Sequence, residues 1–400
     1  MLEKLYEISV RLVGRVAGLP KRYLYERINF GQRLVGICGA RGVGKTTLIL
    51  QYLAEDFGDP RTGLYVSADH LHVAATGLYS IADEHQRNGG RLLCIDEIHK
   101  YDNWGQELKS IYDSFPELSL VVSGSSALHL VRHGYDLSRR LVRYSMKGLS
   151  FREFILFKTG LNIPAIPLSE ILSNHTELSS SILAQAKVFP LFKEYLATGY
   201  YPFWLEGTDE YWAKLQNVLD KIIYEDIPSL FDIRHRGIQQ IRRLLHILAT
   251  SKPFTVNVSE LARELEASRD SLYQYLDYLV QARLTNAMSL RAKGKAVQRK
   301  PGKIYLENTS LLHLLATTSD QTFIGTRRET FFVNQFAELH PLHLSRDADF
   351  TDQAGHSYEI GGRAKSGKQL SGTTKGYIVS DDIEIGSGRR VPLYLFGFLY

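Results

Sequence analysis

Short apolar runs alternate with longer amphipathic stretches between Arg33 and Ser126. The runs are LVGIC at 34–38, GLYVS at 63–67, RLLCID at 91–96 and LSLVVSG at 118–124. Runs of this kind are typical of strands buried on both faces, and the intervening stretches are long enough for crossover helices. The pattern predicts an α/β domain, a parallel sheet with helices on both faces, over residues 28–160, preceded by an N-terminal helix in residues 1–27.

The rest of the chain changes character twice. Pro164, Pro167 and the serines at 179–181 interrupt the alternation, and mostly helical sequence follows. We therefore predict a helical lid or linker over residues 161–250. Strand-like runs return in residues 304–400 and include YLFGFLY at the end, which favours a small α/β domain there.

Two short helices are predicted between these regions. Asn257, with Glu260 three residues later, resembles a capping box, and a second helix begins near Ser268. Apolar residues follow both starts at helical spacing, and a strand-like run ends at Leu290. Helix, turn, helix and strand in this order suggest a winged helix over residues 251–303.

The composition is that of an ordinary folded protein. With 44% hydrophobic and 23% charged residues, it excludes disordered, collagenous and disulfide-stapled chains. A net charge of +5 over 400 residues is too small to indicate nucleic acid by itself. Cys38 and Cys94 lie in apolar runs, which favours a reducing compartment. Charged residues break up the first twenty positions, so we expect a cytoplasmic protein without a signal peptide or membrane span.

A glycine-rich loop follows the first strand. The pattern G-x-x-x-x-G-K-[ST], extended by one threonine, is formed by Gly39, Ala40, Arg41, Gly42, Val43, Gly44, Lys45, Thr46 and Thr47. Its glycines let N–H groups turn inward toward a phosphate, and the N-terminus of the following helix adds partial positive charge. Lys45 would reach the outer phosphates and the Thr46 hydroxyl would bind Mg²⁺. Alone, the loop is also compatible with a turn that has no ligand.

Two carboxylates end another buried strand. Asp96 and Glu97 follow LLCI, at the strand end where an open α/β sheet binds its ligand. We expect Asp96 to hold the Mg²⁺ shell and Glu97 to orient an attacking water or accept its proton. Together with the loop they predict an ATP site. An acid favoured by a helix dipole is the alternative for Glu97, so the sequence indicates binding more strongly than hydrolysis.

Polar and basic residues follow the next predicted strand. Ser123 ends that strand, where it would sit between the outer phosphate and the water, with Ser125 as a second candidate and a plain turn as the alternative. Arg139 and Arg140 come next. One of them would complete an ATP site as an arginine finger, in the same chain or on the next subunit, or both lie in a solvated basic turn.

These motifs make the chain similar to prokaryotic P-loop ATPases of the AAA type that carry a C-terminal domain of unknown function. The resemblance covers nearly the whole chain and rests on GARGVGKTT, LCIDEIHK followed by Trp104, VVSGSSA, the Arg140 turn with LSFREF, YLATGYYPFW, YEDIP and KPGKIYLENTSLL. It implies an ATPase core, a helical segment, a winged helix and a region similar to the PD-(D/E)xK nuclease fold over residues 304–400. The group usually has glycine before the arginine, where this chain has Arg139, so the acting arginine stays open.

The resembled nuclease fold implies acidic side chains that gather Mg²⁺ and a lysine two residues after the last acid. The corresponding acids here are Glu329, Asp349 and Glu359. The lysine position is Gly361, and Arg363 and Lys365 are the nearest basic residues. We therefore predict a vestigial or substrate-clamping domain, with intact cleavage as the alternative.

A basic strip follows the second predicted helix of the winged helix. It has no acid and consists of Arg291, Lys293, Lys295, Arg299, Lys300 and Lys303. Such a strip could neutralise several DNA phosphates. Asp270 and Asp277 on the helix would repel phosphate, and winged helices also serve as packing modules, so both interpretations stay open.

The sequence therefore predicts an ATP-binding protein of the AAA type, a slow Mg²⁺-dependent ATPase whose nucleotide state changes the posture of its C-terminal modules. One alternative is an ATP-regulated DNA-binding protein or nuclease. Another is a non-catalytic scaffold that binds ATP and recruits a protein partner. An arginine finger acting on the next subunit would require a homo-oligomer.

Overall fold

The computed structural model describes residues 2–57, 59, 61–124, 137, 139–251, 257–290, 302–316, 322–370 and 372–400. The chain divides into two compact units, Met1–Gly148 and Leu149–Tyr400. The finer division into five segments stays a prediction.

The first unit is built on a five-stranded parallel sheet. Its strands are β1 (Leu34–Gly39), β2 (Gly63–Ser67), β3 (Leu92–Asp96), β4 (Ser119–Gly124) and β5 (Val142–Met146). Their order is β2-β3-β4-β1-β5, and all neighbours are parallel. Strands β1 to β4 coincide with the four apolar runs, so the predicted α/β fold with a parallel sheet is confirmed.

The strand order brings the candidate site residues to one edge of the sheet. Strand β4 lies between β1 and β3, so the strand ends that carry the glycine-rich loop, Ser123 and the two acids are adjacent. Cys38 and Cys94 are both buried, and neither forms a disulfide. The helices of this unit are α1 (Leu2–Val13), α2 (Lys45–Asp56), α3 (Leu71–Thr76), α4 (Leu78–Arg87) and α5 (Trp104–Ser114).

Helix α1 belongs to the core of the first unit. Leu2 and Leu5 are buried with the apolar residues of the sheet, and the Ser9 hydroxyl accepts a hydrogen bond from the Tyr65 N–H of β2 at 3.1 Å. The helix is shorter than the predicted segment 1–27. Gly18 lies in the turns that follow the helix, and its φ of +78° is incompatible with a helix that continues through it.

A buried histidine joins α4 to its surroundings. The His85 side chain is fully buried; its Nδ1 lies 2.7 Å from the Tyr6 hydroxyl of α1, and its Nε2 lies 3.0 Å from the Leu92 carbonyl of β3. A carbonyl only accepts, so Nε2 carries the proton and Nδ1 accepts from Tyr6. This arrangement requires the neutral ring, and burial lowers the pKa of His85 despite the bond to Leu92.

The first unit should lose stability in mild acid. The unfolded chain takes up a proton at His85 near pH 6.5, whereas the folded chain resists it to lower pH. The stabilising contribution is therefore complete above about pH 6.5 and is lost as pH falls toward the depressed folded pKa. Thermal unfolding midpoints measured from pH 8 to pH 5 should fall less steeply in His85→Gln. The same substitution at the exposed His246 should leave the slope unchanged; identical slopes in all three proteins would contradict the assignment.

The second unit is mainly helical up to Thr250, as the sequence predicts. A π-helical stretch, Ile222–Asp226, joins two of its helices. Within the described ranges, no helix combines the length and apolar character needed to cross a bilayer. The helices are α6 (Phe151–Thr159), α7 (Leu168–Gln185), α8 (Val188–Thr198), α9 (Tyr211–Lys221), α10 (Ile227–Leu230), α11 (His235–Thr250), α12 (Val258–Glu264), α13 (Arg269–Gln281), α14 (Thr309–Leu315) and α15 (Thr322–Phe336).

Helix α6 lies in the second unit, whereas the sequence pattern places it at the end of the first domain. A capping box of Ser150 and Glu153 starts the helix. The Phe151 ring meets Phe192 at 5.1 Å and Phe398 at 5.7 Å between centroids, both edge to face. These aromatic contacts account for the position of the helix.

The strands of the second unit form a hairpin and a separate sheet. The hairpin pairs β6 (Thr285–Met288) with β7 (Lys303–Leu306), antiparallel. It follows α12 and α13 in the predicted order, and its identity as a winged helix stays a prediction. The sheet has the order β12-β11-β10-β9-β8. Its strands are β8 (Leu342–Leu344), β9 (Phe350–Asp352), β10 (Ser357–Gly361), β11 (Gly376–Ser380) and β12 (Arg390–Pro392).

The strand predicted for YLFGFLY is wrong. Residues Leu393–Phe398 form a 3₁₀ helix, and all of them are buried. A short apolar run without polar alternation looks the same in sequence whether a strand or a helical turn buries it. Gly397 lies directly against Phe151 and Phe331, so aromatic packing from distant parts of the chain decides this conformation.

Candidate nucleotide-binding site

The glycine-rich loop has the curled backbone that phosphate binding requires. Gly42 and Gly44 have φ of +81° and +100°, a region that residues with a side chain rarely adopt. A Cβ at Gly39 would collide with the Met146 carbonyl of β5. Helix α2 then begins at Lys45, so its N-terminus faces the loop. Glycine is therefore needed at 42 and 44 for the positive φ and at 39 for the close approach of β5.

The Lys45 side chain folds back across this loop. Its Nζ donates to the carbonyls of Gly39 and Ala40 at 3.0 and 3.1 Å, and only 5% of the residue is exposed. The Glu97 Oε1 lies 4.0 Å from the same Nζ. The ammonium is thus held inside the loop, where phosphate oxygens can replace the carbonyl oxygens as its partners.

Asp96 is the centre of a hydroxyl cluster at the end of β3. Its Oδ2 accepts from the Thr46 hydroxyl at 2.6 Å and from the Tyr65 hydroxyl at 2.9 Å. Its Oδ1 accepts from the Ser123 hydroxyl. The two predicted Mg²⁺ ligands, Thr46 and Asp96, are therefore in direct contact.

Glu97 adopts a strained backbone next to this cluster. Its φ of 50° and ψ of 39° are left-handed, which is uncommon for a residue with a side chain. Its N–H is shared by Asp96 Oδ1 and Ser123 Oγ, both at 3.1 Å. The His99 Nε2 lies 3.4 Å from Glu97 Oε2. These bonds hold the Glu97 backbone in place, its carboxylate lies 4.0 Å from the Lys45 Nζ, and strain of this kind is concentrated at functional sites.

The remaining loop residues shape the cradle. Ala40 and Val43 are buried, and Arg41 and Thr47 are half-buried. The oxygen ligands present suit Mg²⁺, which binds proteins through one or two side chains and otherwise through phosphate and water. No group of three acidic, histidine or cysteine side chains that could hold a metal occurs among the residues that the structure describes. Mg²⁺ bound mainly by phosphate and water does not need such a group. Ser125 lies outside the described residues.

The two candidate finger arginines lie at the opposite edge of the sheet. β5 pairs with β1 so that Gly39 is opposite Met146, and at about 3.3 Å per residue Arg140 lies roughly 20 Å from the loop. The Arg140 guanidinium pairs with Asp113 of α5 at 3.0 Å. Arg139 is exposed. The structure therefore does not bring either arginine to the loop of its own chain.

Sequence motifs do not reveal Tyr65, which the structure adds to the site. Burial, reinforced by the nearby Asp96 carboxylate, raises the pKa of the Tyr65 hydroxyl far above its ordinary value. The hydroxyl therefore stays a donor to Asp96 at all ordinary pH values. The run GLYVS contains this tyrosine as one apolar residue among others, so only its pairing with β3 identifies it.

If the site hydrolyses ATP with Mg²⁺ as the motifs predict, Tyr65→Phe should raise the Mg²⁺ concentration needed for half-maximal hydrolysis about tenfold. The hydroxyl bond to a carboxylate contributes roughly 1.5 kcal/mol, and without it Asp96 is held less firmly. Hydrolysis measured against free Mg²⁺ should show the shift. Tyr144→Phe removes a hydroxyl of β5 that accepts from the Asn29 N–H and should show none. An equal shift in both variants would assign the effect to general loosening of the sheet.

The three candidate acids of the second unit have separate partners. Glu329 accepts from the Tyr305 hydroxyl at 2.6 Å, and burial raises the pKa of Glu329 even though Lys303 lies nearby. The Asp349 Oδ2 accepts from the Ile360 N–H at 2.8 Å.

Glu359 instead pairs with Lys365. Its Oε1 lies 3.2 Å from the lysine Nζ, and only 4% of the Glu359 side chain is exposed. A Cβ at Gly361 would lie 2.8 Å from three carbons of the Lys365 side chain. The lysine therefore crosses Gly361 to reach the acid. The side chain of Arg363 is exposed.

Of the six residues of the basic strip, Lys303 lies within the described part of the chain. Arg291, Lys293, Lys295, Arg299 and Lys300 lie outside the described residues. Lys303, in β7, lies 3.6 Å from Glu329 Oε2. The last member of the strip is thus part of an ion pair with α15.

The fold and site define a P-loop protein with an AAA-type domain. Residues 31–155 match the family described as AAA domain, and residues 190–322 match the Domain of unknown function (DUF8612). The AAA-type domain predicted from the motifs is confirmed.

Three individual proteins are similar to the chain at sequence identities between 15% and 27%. It is 27% identical over 408 residues to the uncharacterized protein MJ1637 of Methanocaldococcus jannaschii, covering 93% of this chain and 85% of the relative. A RuvB variant of Thermotoga maritima has 15% identity and a TM-score of 0.32, over 72% of this chain and 89% of RuvB. AMPPCP-bound DnaA of Aquifex aeolicus has 15% identity and a TM-score of 0.27, over 69% and 88%. At these TM-scores, the two structures support no conclusion about this chain.

Proposed function

We propose that the first unit binds ATP with Mg²⁺ and hydrolyses it slowly, and that the nucleotide state controls the C-terminal modules. The observation that carries this proposal is the single edge of the sheet where Thr46, Asp96 and Ser123 share hydrogen bonds while Lys45 faces Glu97. Phosphate-binding, metal-binding and water-orienting groups are thus adjacent. Two buried cysteines without a disulfide fit a cytoplasmic protein.

The chain's own groups divide the reaction between them. Backbone N–H groups of the loop and the Lys45 ammonium bind and orient the phosphates. Thr46 and Asp96 would hold Mg²⁺, which neutralises charge on the phosphate oxygens when bound. Glu97 accepts the proton of the attacking water, and Ser123 holds the Glu97 main chain in the orientation this requires. Turnover is slow in this proposal because neither Arg139 nor Arg140 reaches the loop of its own chain.

In this proposal Arg139 or Arg140 acts as an arginine finger on the next subunit of a homo-oligomer. In their own chain they lie roughly 20 Å from the loop across the sheet, so either could act as a finger only on a neighbouring subunit. An arginine supplied in this way raises turnover about 10³- to 10⁵-fold. The rate per subunit should then depend on protein concentration.

The second candidate function is an ATP-regulated protein that acts on DNA. Lys365 reaches Glu359 across Gly361, which favours a lysine that has moved to a new position in a nuclease-like domain. Against cleavage, Asp349 and Glu329 are engaged elsewhere. Asp270 and Asp277 are exposed on α13, where they would repel phosphate. We therefore propose a vestigial or clamping domain with a packing winged helix.

One experiment separates these functions. ATP turnover is measured over a range of protein concentrations, with and without linear or supercoiled DNA, and the DNA is inspected for cuts. Basal turnover that rises per subunit with concentration supports the switch. Stimulation by DNA, or cleavage that Glu359→Ala abolishes, supports the second candidate. Binding without turnover leaves a scaffold that recruits a protein partner.

A further inference from the structure

A buried arginine outside the predicted motifs donates a hydrogen bond to the glycine-rich loop. Arg22 lies between α1 and β1, and only 5% of its surface is exposed. Its Nη1 donates to the Val43 carbonyl of the loop at 2.6 Å. A charged side chain is costly to bury unless its donors are satisfied. An arginine in this position therefore indicates a specific task.

The contact with Val43 fixes the orientation of one peptide in the loop. In a trans peptide the carbonyl and the following N–H point in opposite directions. Because Arg22 holds the Val43 carbonyl, it also restrains the Gly44 N–H of the same peptide, and successive N–H groups of such a loop bind phosphate. Gly44 has φ of +100°, and without a side chain it restricts this peptide little. The guanidinium supplies the restraint that Gly44 lacks.

The same guanidinium holds the end of the first unit. Its Nη2 donates to the carbonyls of Lys147 and Gly148 at 2.9 and 2.8 Å. These residues follow β5, and the second unit begins at Leu149. A planar, rigid group thus joins the phosphate loop to the chain segment that leads into the second unit.

Arg22 is anchored to the helix that starts at the loop. Gln51 of α2 donates to the carbonyls of Leu19 and Pro20 at 3.0 and 3.3 Å. Lys21 pairs with Glu55, also on α2. The segment that carries Arg22 is therefore fixed to α2 on both sides of Pro20.

We propose that Arg22 is a positioning residue that couples nucleotide in the phosphate loop to the Lys147–Gly148 segment, and through that segment to the second unit. The inference rests on the proposed ATP binding and adds the route by which the bound state is communicated. Phosphate bound at the Gly44 N–H adds a second restraint to the peptide that Arg22 holds at the Val43 carbonyl. Because the guanidinium is rigid, a restraint on its Nη1 also restrains its Nη2, which binds the carbonyls of Lys147 and Gly148.

The test compares hydrogen exchange of the backbone amides at residues 147–160 in the full-length chain, with and without Mg²⁺ and the analogue AMPPCP. The wild type should exchange more slowly when the analogue is bound. Arg22→Lys keeps the charge but replaces the planar guanidinium by a single ammonium. The ammonium cannot bind the Val43 carbonyl and the carbonyls of Lys147 and Gly148 at the same time. It should lose the exchange response while the affinity falls no more than about tenfold. Arg27→Lys, at an exposed arginine, should keep the response.

Several outcomes would overturn the coupling. A full response in Arg22→Lys contradicts it, and so does a wild type that binds AMPPCP without any response. A folded Arg22→Lys protein that binds as poorly as Lys45→Ala would make Arg22 a binding residue instead. If the wild type binds no nucleotide, the proposed function is contradicted together with the coupling. Binding without an exchange response contradicts the coupling alone.

A second variant keeps the proposal testable if Arg22→Lys does not fold. Gln51→Met removes the bonds to Leu19 and Pro20 and leaves Arg22 in place. The response of residues 147–160 should then be partly lost, because the anchor of Arg22 is loosened. An unchanged response in Gln51→Met would contradict the coupling.

Discussion

Replacing Lys45 by alanine should weaken ATP binding about 100-fold. Contacts between an ammonium and phosphate are charge-assisted and together contribute roughly 3 kcal/mol, which corresponds to that factor. The Lys45 ammonium already lies inside the loop, on the carbonyls of Gly39 and Ala40. Little side-chain movement is therefore needed before it meets phosphate, and alanine removes the whole contribution.

The loss should be visible in the thermal stability of the protein. At an ATP concentration 100 times the wild-type Kd, binding stabilises the wild type by about 2.7 kcal/mol and a variant with 100-fold weaker binding by about 0.4 kcal/mol. Lys4→Ala is the matched control, since this lysine lies on α1 with 62% of its side chain exposed. Undiminished binding by Lys45→Ala would show that the loop does not hold the phosphates.

Changing Glu97 to glutamine should leave ATP bound and reduce turnover about 10²- to 10⁴-fold, the range that general acid–base catalysis contributes. The amide has the shape of the carboxylate but accepts no proton from water at neutral pH. The left-handed turn at Glu97 is held by its N–H, which binds Asp96 and Ser123. The substitution leaves these bonds in place.

A single-turnover experiment with saturating protein separates the binding step from hydrolysis. Glu84→Gln, at an exposed acid of α4, should behave as the wild type in both steps. If Lys45→Ala and Glu97→Gln lose binding equally, the separate roles of the two residues are contradicted. Faster turnover in Glu97→Gln would likewise exclude Glu97 as the base.

The sheet could be predicted because its strands are buried on both faces. Strands β1 to β4 are short, continuous apolar runs between polar segments, and no distant contact is needed to recognise them. Residues Leu393–Phe398 are equally apolar, yet they form a 3₁₀ helix. Their conformation depends on Phe151 and Phe331, which are far away in sequence. Local pattern therefore identifies burial in both cases and the type of element only in the first.

The same distinction applies to the site. The loop residues and Asp96 with Glu97 belong to contiguous motifs, because phosphate binding uses successive backbone groups. Tyr65 and Arg22 carry no such motif. Each acts on a residue at least twenty positions away, through hydrogen bonds that exist only in the folded chain. Such supporting side chains are found from pairing and packing.

The lysine stem across Gly361 makes the Glu359–Lys365 ion pair difficult to move by one substitution. A new side chain at 361 would occupy the space of three Lys365 carbons, which a Cβ would approach to 2.8 Å. Gly361→Lys alone therefore creates crowding, and truncating Lys365 alone leaves Glu359 without its ion-pair partner. The lysine can therefore move from position 365 to position 361 only if both residues change together. A sequence that changes one residue at a time passes through a less stable protein.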